Sequence, residues 1–188
     1  MLFDLRKPSP TIYSLLVILA VTLSTSTYSA AGDETGVDQA ISPTTLGSWS
    51  LEDAEGKLVD FRPTGNKSYR IVLFWATWCP YCKALMPHLE AFRAKTVNVE
   101  GAIPIEFLAL NVWEDGNPQA YLSDSGFNFR LIPNADEVAK EYGVKGTPGL
   151  FLVNNRNEVL YKRRSGTEPA QVITDIEFIL ENLASASN

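Results

Sequence analysis

Apolar and polar positions follow three different rhythms along this chain, and each change of rhythm marks an element. Ser48 to Phe61 shows short apolar/polar alternation around Ala54–Gly56, the pattern of a hairpin. Tyr69 to Ala76 (YRIVLFWA) is apolar throughout except for Arg70 near its start, which predicts a buried central strand. A helix is expected to begin near Cys79, with Leu85, Leu89 and Phe92 at helical spacing and Pro87 placed to kink it. Ile103 to Val112 reads as a second buried strand. Pro118 to Gly126 and Ala135 to Tyr142 read as helices, the second with Gly143 just past its end. Gly149 to Val153 and Glu158 to Arg163 are strands joined by a tight Asn-rich turn. Thr167 is a good N-cap for a last amphipathic helix from Glu168 to about Leu183. Strands alternating with helices, then a hairpin and a helix, predict an α/β fold with a central mixed sheet flanked by helices. No internal repeat and no second domain are visible.

The first residues follow a different plan. Arg6 and Lys7 precede a charge-free stretch from Pro8 to Gly32 whose apolar heart is Ile12 to Leu23. Small residues follow, with Ser29 and Ala31 at the −3 and −1 positions of a cleavage site, the layout of a secretory signal peptide. The apolar heart is shorter than the roughly 20 residues that span a bilayer. Its Ser/Thr-rich continuation leaves an uncleaved membrane anchor as the alternative. Both place the basic residues on the cytoplasmic side and the rest of the chain outside, in a periplasmic or other exported compartment. Residues 1–31 are thus a signal peptide or anchor, 32–47 a polar, flexible tether, and 48–188 the folded domain.

Composition narrows the function. Of the 188 residues, 45% are hydrophobic and 20% charged, enough for a real core. The net charge is −6, and residues 1–31 contribute only Asp4, Arg6 and Lys7, so the remainder is also acidic. Such a surface repels phosphate backbones, and no nucleic-acid partner is expected. The two cysteines, Cys79 and Cys82, lie too close together to staple a loop, so the fold depends on its core. Zinc requires four ligands, and the only histidine is His88, an expected helix-surface residue, so no metal site is expected. No nicotinamide or flavin motif occurs, and no cofactor is expected. A monomer is expected.

Candidate chemistry rests on where the cysteines fall. Trp75-Ala76-Thr77-Trp78-Cys79-Pro80-Tyr81-Cys82 sets a CxxC at a strand-to-helix junction. At a helix N-terminus, free backbone N–H groups and the helix dipole stabilise negative charge, and a thiol there can drop from about 8.5 to between ~3.5 and ~7.5. The thiolate is the attacking species, which makes Cys79 the nucleophile. Cys82, one turn on, reaches the same sulfur from deeper in the helix. Pro80 fits the first turn, where its missing N–H costs little. Trp75 reads as core and Trp78 as a flank of the reactive sulfur. Tyr142 to Pro148 (YGVKGTP) leads into the strand Gly149–Val153, and a proline directly before an apolar strand suits either a cis bond in a tight turn or a trans start to the strand.

WATWCPYC, a helix with Pro87, EYGVKGTPGLFLV and an Asn-rich turn together resemble the thioredoxin superfamily, and more narrowly the exported TlpA/ResA-type thiol–disulfide oxidoreductases. The resemblance covers about residues 48–184, with the opening hairpin and a strand–helix insertion after Val112. It implies that Pro148 is cis and sits against the cysteine pair, and that the backbone of Thr147 pairs with an extended substrate segment. It also implies that Trp78, Pro80 and Tyr81, beside the cysteines, form part of the substrate-binding surface. In such proteins an acidic residue follows the next strand within an NVxE pattern, here Asn111-Val112-Trp113-Glu114, so Glu114 is expected to accept or deliver the proton of Cys82. Two departures stand out. Where thioredoxin has a buried aspartate, two residues before the first tryptophan, this chain has Leu73, and between the cysteines it has Pro-Tyr, as in glutaredoxins.

The expected activity is dithiol–disulfide exchange with client proteins, with electrons supplied by a membrane-embedded thiol donor. By resemblance, clients could include cysteines of apocytochromes c or of metal-site assembly proteins. The reverse direction, oxidation of secreted thiols, is the first alternative, since related motifs range from about −270 to about −120 mV. A module holding copper(I) between the two thiolates is the second.

Overall fold

The computed structural model describes residues 44–97 and 103–186, all within one compact unit, Ile41–Asn188. The expected signal peptide or anchor, residues 1–31, and the tether up to residue 43 lie outside the described residues.

The chain opens with β1 (Trp49–Glu52) and β2 (Leu58–Phe61), an antiparallel hairpin in which Trp49 faces Phe61. Its turn closes on Asp53, whose Oδ1 accepts the N–H of Lys57 at 2.8 Å. There follow β3 (Tyr69–Trp75), α1 (Pro80–Thr96), β4 (Ile105–Asn111), α2 (Pro118–Asp124), β5 (Arg130–Ile132), α3 (Asp136–Glu141), β6 (Gly149–Asn154), β7 (Val159–Lys162) and α4 (Pro169–Ser185). The main sheet has the order β5-β4-β3-β6-β7. β3 and β4 are parallel, as are β4 and β5, while β6 and β7 run antiparallel to their neighbours. This is the mixed, helix-flanked sheet expected from the alternation of elements.

Every residue of β3 is buried, and side chains along a strand alternate between faces. Ile71, Leu73 and Trp75 enter one core layer with Leu85, Met86, Leu89 and Phe92 of α1 and Val172 and Ile176 of α4. Val72 and Phe74 enter the other with Trp49, Phe61, Leu108, Leu110, Val138 and Tyr142. A central strand with a core on each side must be apolar at both parities, which is why its sequence lacks alternation. Full burial of each such side chain contributes about 1.5–3 kcal/mol.

Two expectations are revised. The folded domain begins before Ser48: the Leu46 N–H donates to the Asn157 carbonyl at 2.9 Å, Leu46 is buried, and the Gly47 carbonyl accepts the Tyr142 hydroxyl at 2.6 Å. Thr167 does not cap the last helix. The cap is Glu168, without a side-chain bond, and the Thr167 hydroxyl donates to Arg164 O at 3.0 Å. Pro169 is the cause, because the residue before a proline is pushed to extended backbone and the helix starts at the proline itself. The insertion after Val112 contains the expected strand and helix, in the order α2 and then the three-residue β5. Among the described residues, no helix is long and apolar enough to cross a membrane.

Candidate active site

α1 starts where the CxxC pattern places it. Cys79 is the N-cap, with extended backbone (φ −79°, ψ 111°), and Pro80 occupies the first turn. The Cys79 side chain takes over a capping role: its Sγ accepts the N–H of Cys82 at 3.1 Å. That N–H donor and the open N-terminus of the helix both face the sulfur. Both cysteines are free thiols. Cys82 points into the core between the sheet and α1 and is 0% exposed. Burial pushes its thiol far above the ordinary cysteine range, the neighbouring Cys79 pushes it further, and the Ala76 N–H and the Thr147 side chain pull weakly the other way. The two thiols are therefore chemically unequal: one sits at the positive end of a helix, the other is held protonated beneath it.

The opposite wall comes from the loop after β4. Asn111, at the end of that strand, is buried and donates from Nδ2 to Glu114 Oε2 at 2.6 Å and to the Trp75 carbonyl at 3.3 Å. Glu114 Oε2 also accepts the Thr77 N–H at 2.8 Å, and Oε1 accepts the Thr77 hydroxyl at 2.6 Å. The N–H groups of Asp115 and Gly116 complete the ring on Oε1 at 3.0 and 2.9 Å. Burial alone would raise the Glu114 carboxyl, but the bonds from Thr77, Asn111 and Gly116 outweigh it and hold the group down to about 2. Glu114, expected from sequence to accept or deliver the proton of Cys82, is thus surrounded by donors from two loops. A carboxylate at about 2 is ionised at neutral pH, and among the described residues its hydrogen bonds run to Thr77, Asn111 and its own loop. Glu114 is a clamp on the loop that leads into Cys79.

The expected substrate-contacting residues gather on this surface. Trp78 and Tyr81 are 48% and 71% exposed, unusual for such large rings, and Pro80 is exposed between them. The Trp78 indole N–H donates to the Trp113 carbonyl at 2.7 Å. The Thr147–Pro148 bond is cis, with Pro148 buried and Thr147 half-buried beside Cys82. His88 is exposed on α1, and Leu73 is buried in the core.

Four participants were not singled out from sequence: Thr77, Asn111, Trp113 and Gly116. Trp113 has φ 51°, a left-handed conformation rare for a bulky residue, and its N–H is fixed by Asp136 Oδ1 at 3.0 Å. At Gly116 an added Cβ would fall 2.6 Å from Thr77 Oγ1, so only glycine lets this loop close on the thiol-bearing segment. The signal for Asn111 was its place at the last buried position of a strand, where a polar side chain needs a partner.

The family of thioredoxin-like domains matches residues 55–177. The chain is 26% identical over 182 residues to the thiol-disulfide oxidoreductase ResA of Halalkalibacterium halodurans, covering 94% of this chain and 97% of that protein. It is 29% identical over 165 residues to the thiol-disulfide oxidoreductase ResA of Bacillus subtilis, covering 86% and 87%. Among solved structures, StoA from Bacillus subtilis superposes with a TM-score of 0.54 at 21% identity, over 71% of this chain and 99% of that one, a likeness of fold.

Proposed function

The chain belongs to the thioredoxin-like family, and from that premise we propose that it is a thiol–disulfide oxidoreductase that reduces disulfides of client proteins in an exported compartment. One observation carries this reading: Cys79 Sγ, at the N-terminus of α1, accepts the Cys82 N–H at 3.1 Å, while the Cys82 thiol is buried and held protonated. That is an attacking sulfur paired with a resolving one. The similarity to proteins named ResA over most of their length supports it.

The reaction runs in two exchanges. The Cys79 thiolate attacks one sulfur of the client disulfide; that S–S bond breaks, and the departing client thiolate takes up a proton. Cys82 then loses its proton and attacks Cys79 Sγ, breaking the mixed disulfide and releasing the second client thiol. Two electrons pass to the client; the Cys82 proton goes to the second client thiolate and solvent protonates the first, and Cys79–Cys82 is left oxidised. Thr147, with no backbone partner of its own among the described residues, is placed to pair with an extended client segment. Trp78, Pro80 and Tyr81, exposed beside the cysteines in sequence, form the rest of the client-contacting surface in this reading. Glu114 positions the Thr77–Trp78 segment instead of moving a proton.

The finer reading follows the resemblance: residues 1–31 export or anchor the chain, a membrane-embedded thiol donor recharges it, and its clients are cysteines of maturing c-type cytochromes or metal-site proteins. The reduction potential of the pair in the full chain, equilibrated with glutathione, tests the direction. A value below about −220 mV supports a reductant; a value near about −120 mV makes the protein an oxidant of secreted thiols. A pair with no reversible equilibrium overturns the oxidoreductase reading.

A further inference from the structure

A groove of about 360 Å³ runs from Thr147 and Pro148, beside Cys82, to Lys162, Arg163 and Ser165 at the end of β7, with Lys145 on its rim. Its lining holds three cations and no acid, although the whole chain carries −6. Among the described residues, none of the three enters an ion pair. Lys145 and Lys162 are exposed, and Lys162 Nζ stands 5.2 Å from the centre of the Phe151 ring. Arg163 donates through Nη2 to Thr167 O at 2.9 Å, while its Nε is buried without a partner. A buried N–H donor left unpaired is costly and calls for an acceptor.

Neither cysteine lines the groove, but Thr147, which does, links it to the redox pair. The Thr147 side chain meets Cys82, and among the described residues the Thr147 N–H and C=O have no backbone partner, since the β3–β6 ladder starts at Gly149. A polypeptide that aligns along Thr147 to present its sulfur to Cys79 must lay its neighbouring residues along Lys145, Lys162 and Arg163. We infer that this groove selects clients carrying aspartate or glutamate beside the reacting cysteine, with Lys145, Lys162 and Arg163 as the specificity-determining residues. The inference rests on the oxidoreductase reading and deepens it. An acidic domain repels acidic proteins at long range, so the preference must come from contacts in the groove. A client with basic residues in the same places meets like charge there and is disfavoured.

The test uses the pre-reduced full chain and three disulfide-containing peptides that differ only in the residues beside cysteine: Asp/Glu, Asn/Gln or Lys. Exposed pairs favour binding by about 1.5- to 5-fold each, so the acidic peptide should be reduced about 10-fold more efficiently than the basic one at low salt. The difference should lie in KM, with kcat nearly shared, and shrink at 0.5 M salt. In the K145E/K162E variant the ratio of acidic to basic rates should fall to about 1 or invert. Equal rates for all three peptides with the native chain, or a ratio that the variant leaves unmoved, would overturn the inference while leaving the oxidoreductase reading in place. Reduction of none of them overturns that reading and this inference with it.

Discussion

Glu114 grips Thr77 with both carboxylate oxygens, Oε2 on the backbone N–H at 2.8 Å and Oε1 on the hydroxyl at 2.6 Å. Thr77 lies two residues before Cys79, so the bond ties the loop after β4 to the segment that delivers the reactive sulfur. Replacing Glu114 by glutamine turns an amide N–H₂ toward donors that require an acceptor. The substitution should cost about 1–3 kcal/mol of stability at neutral pH, read from urea unfolding. The pH dependence follows from the sign of the shift. The folded carboxyl lies at about 2, below the ordinary glutamate value, so its stabilisation is complete above about pH 5 and is lost as pH falls toward 2. Native and E114Q unfolding free energies should converge across that window. A gap that stays constant from pH 7 to pH 3 would show that the charge of Glu114 is not what holds the loop.

Gly149, directly after Pro148, has no room for a side chain: an added Cβ would stand 2.9 Å from Val144 Cγ1 and 3.4 Å from Phe74 Cβ. Gly146, three residues earlier, would meet nothing within 4 Å. G149A should therefore destabilise the chain by about 1–3 kcal/mol through overpacking, and G146A by little. Urea unfolding of the two variants side by side checks the contrast. Equal losses would mean that backbone freedom, and not the packing of Val144 on Phe74, decides at Gly149.

The parts of this fold that were legible in the sequence are those with a long pattern or a specific junction. β3 announced itself by unbroken apolarity because both its faces are core, and Cys79 by standing between that strand and a helical rhythm. The hairpin and the β6–β7 turn were carried by their turn residues. What stayed hidden depends on contacts between residues far apart. The Thr77–Glu114 bond spans 37 positions, and no local pattern states that two loops will meet. The same holds at Glu114: the resemblance at NVxE puts a carboxylate near the cysteines but says nothing of the five donors that surround it.

Asn157 combines a strained backbone with a buried partner. Its φ is 62°, and its Oδ1 accepts Nη2 of Arg70 at 2.7 Å in a buried pair. Arg70 also stacks 4.2 Å from the centre of the Phe61 ring and, among the described residues, has only the Arg62 carbonyl, at 3.3 Å, as a further acceptor. N157G keeps the left-handed backbone but strands a guanidinium N–H, for a loss of about 1.5–3 kcal/mol. N157A adds a Cβ in the left-handed region and should be lower again by about 1 kcal/mol. Thermal and urea unfolding should both rank native above glycine above alanine. Alanine equal to or above glycine would mean that the αL conformation is not retained there.

The inequality of the two thiols predicts which variant traps a client. With Cys82 replaced by serine, Cys79 still attacks but nothing resolves the product, so a mixed disulfide should accumulate and be visible on a non-reducing gel. With Cys79 replaced, the remaining thiol keeps the burial that is the first cause of its protonation and lies off the helix N-terminus, so no adduct should form. Burial, the first cause of the raised Cys82 thiol, does not depend on the Cys79 thiol, so Cys82 should stay above its ordinary value in the mixed disulfide. Its thiolate is then a minor species at neutral pH, and the resolving step should quicken as pH rises, with no plateau near pH 7. Rapid-quench measurement of mixed-disulfide decay in the native chain gives that slope. A plateau near pH 7, or an adduct trapped by the C79S variant in place of C82S, would reverse the roles assigned here to the two sulfurs.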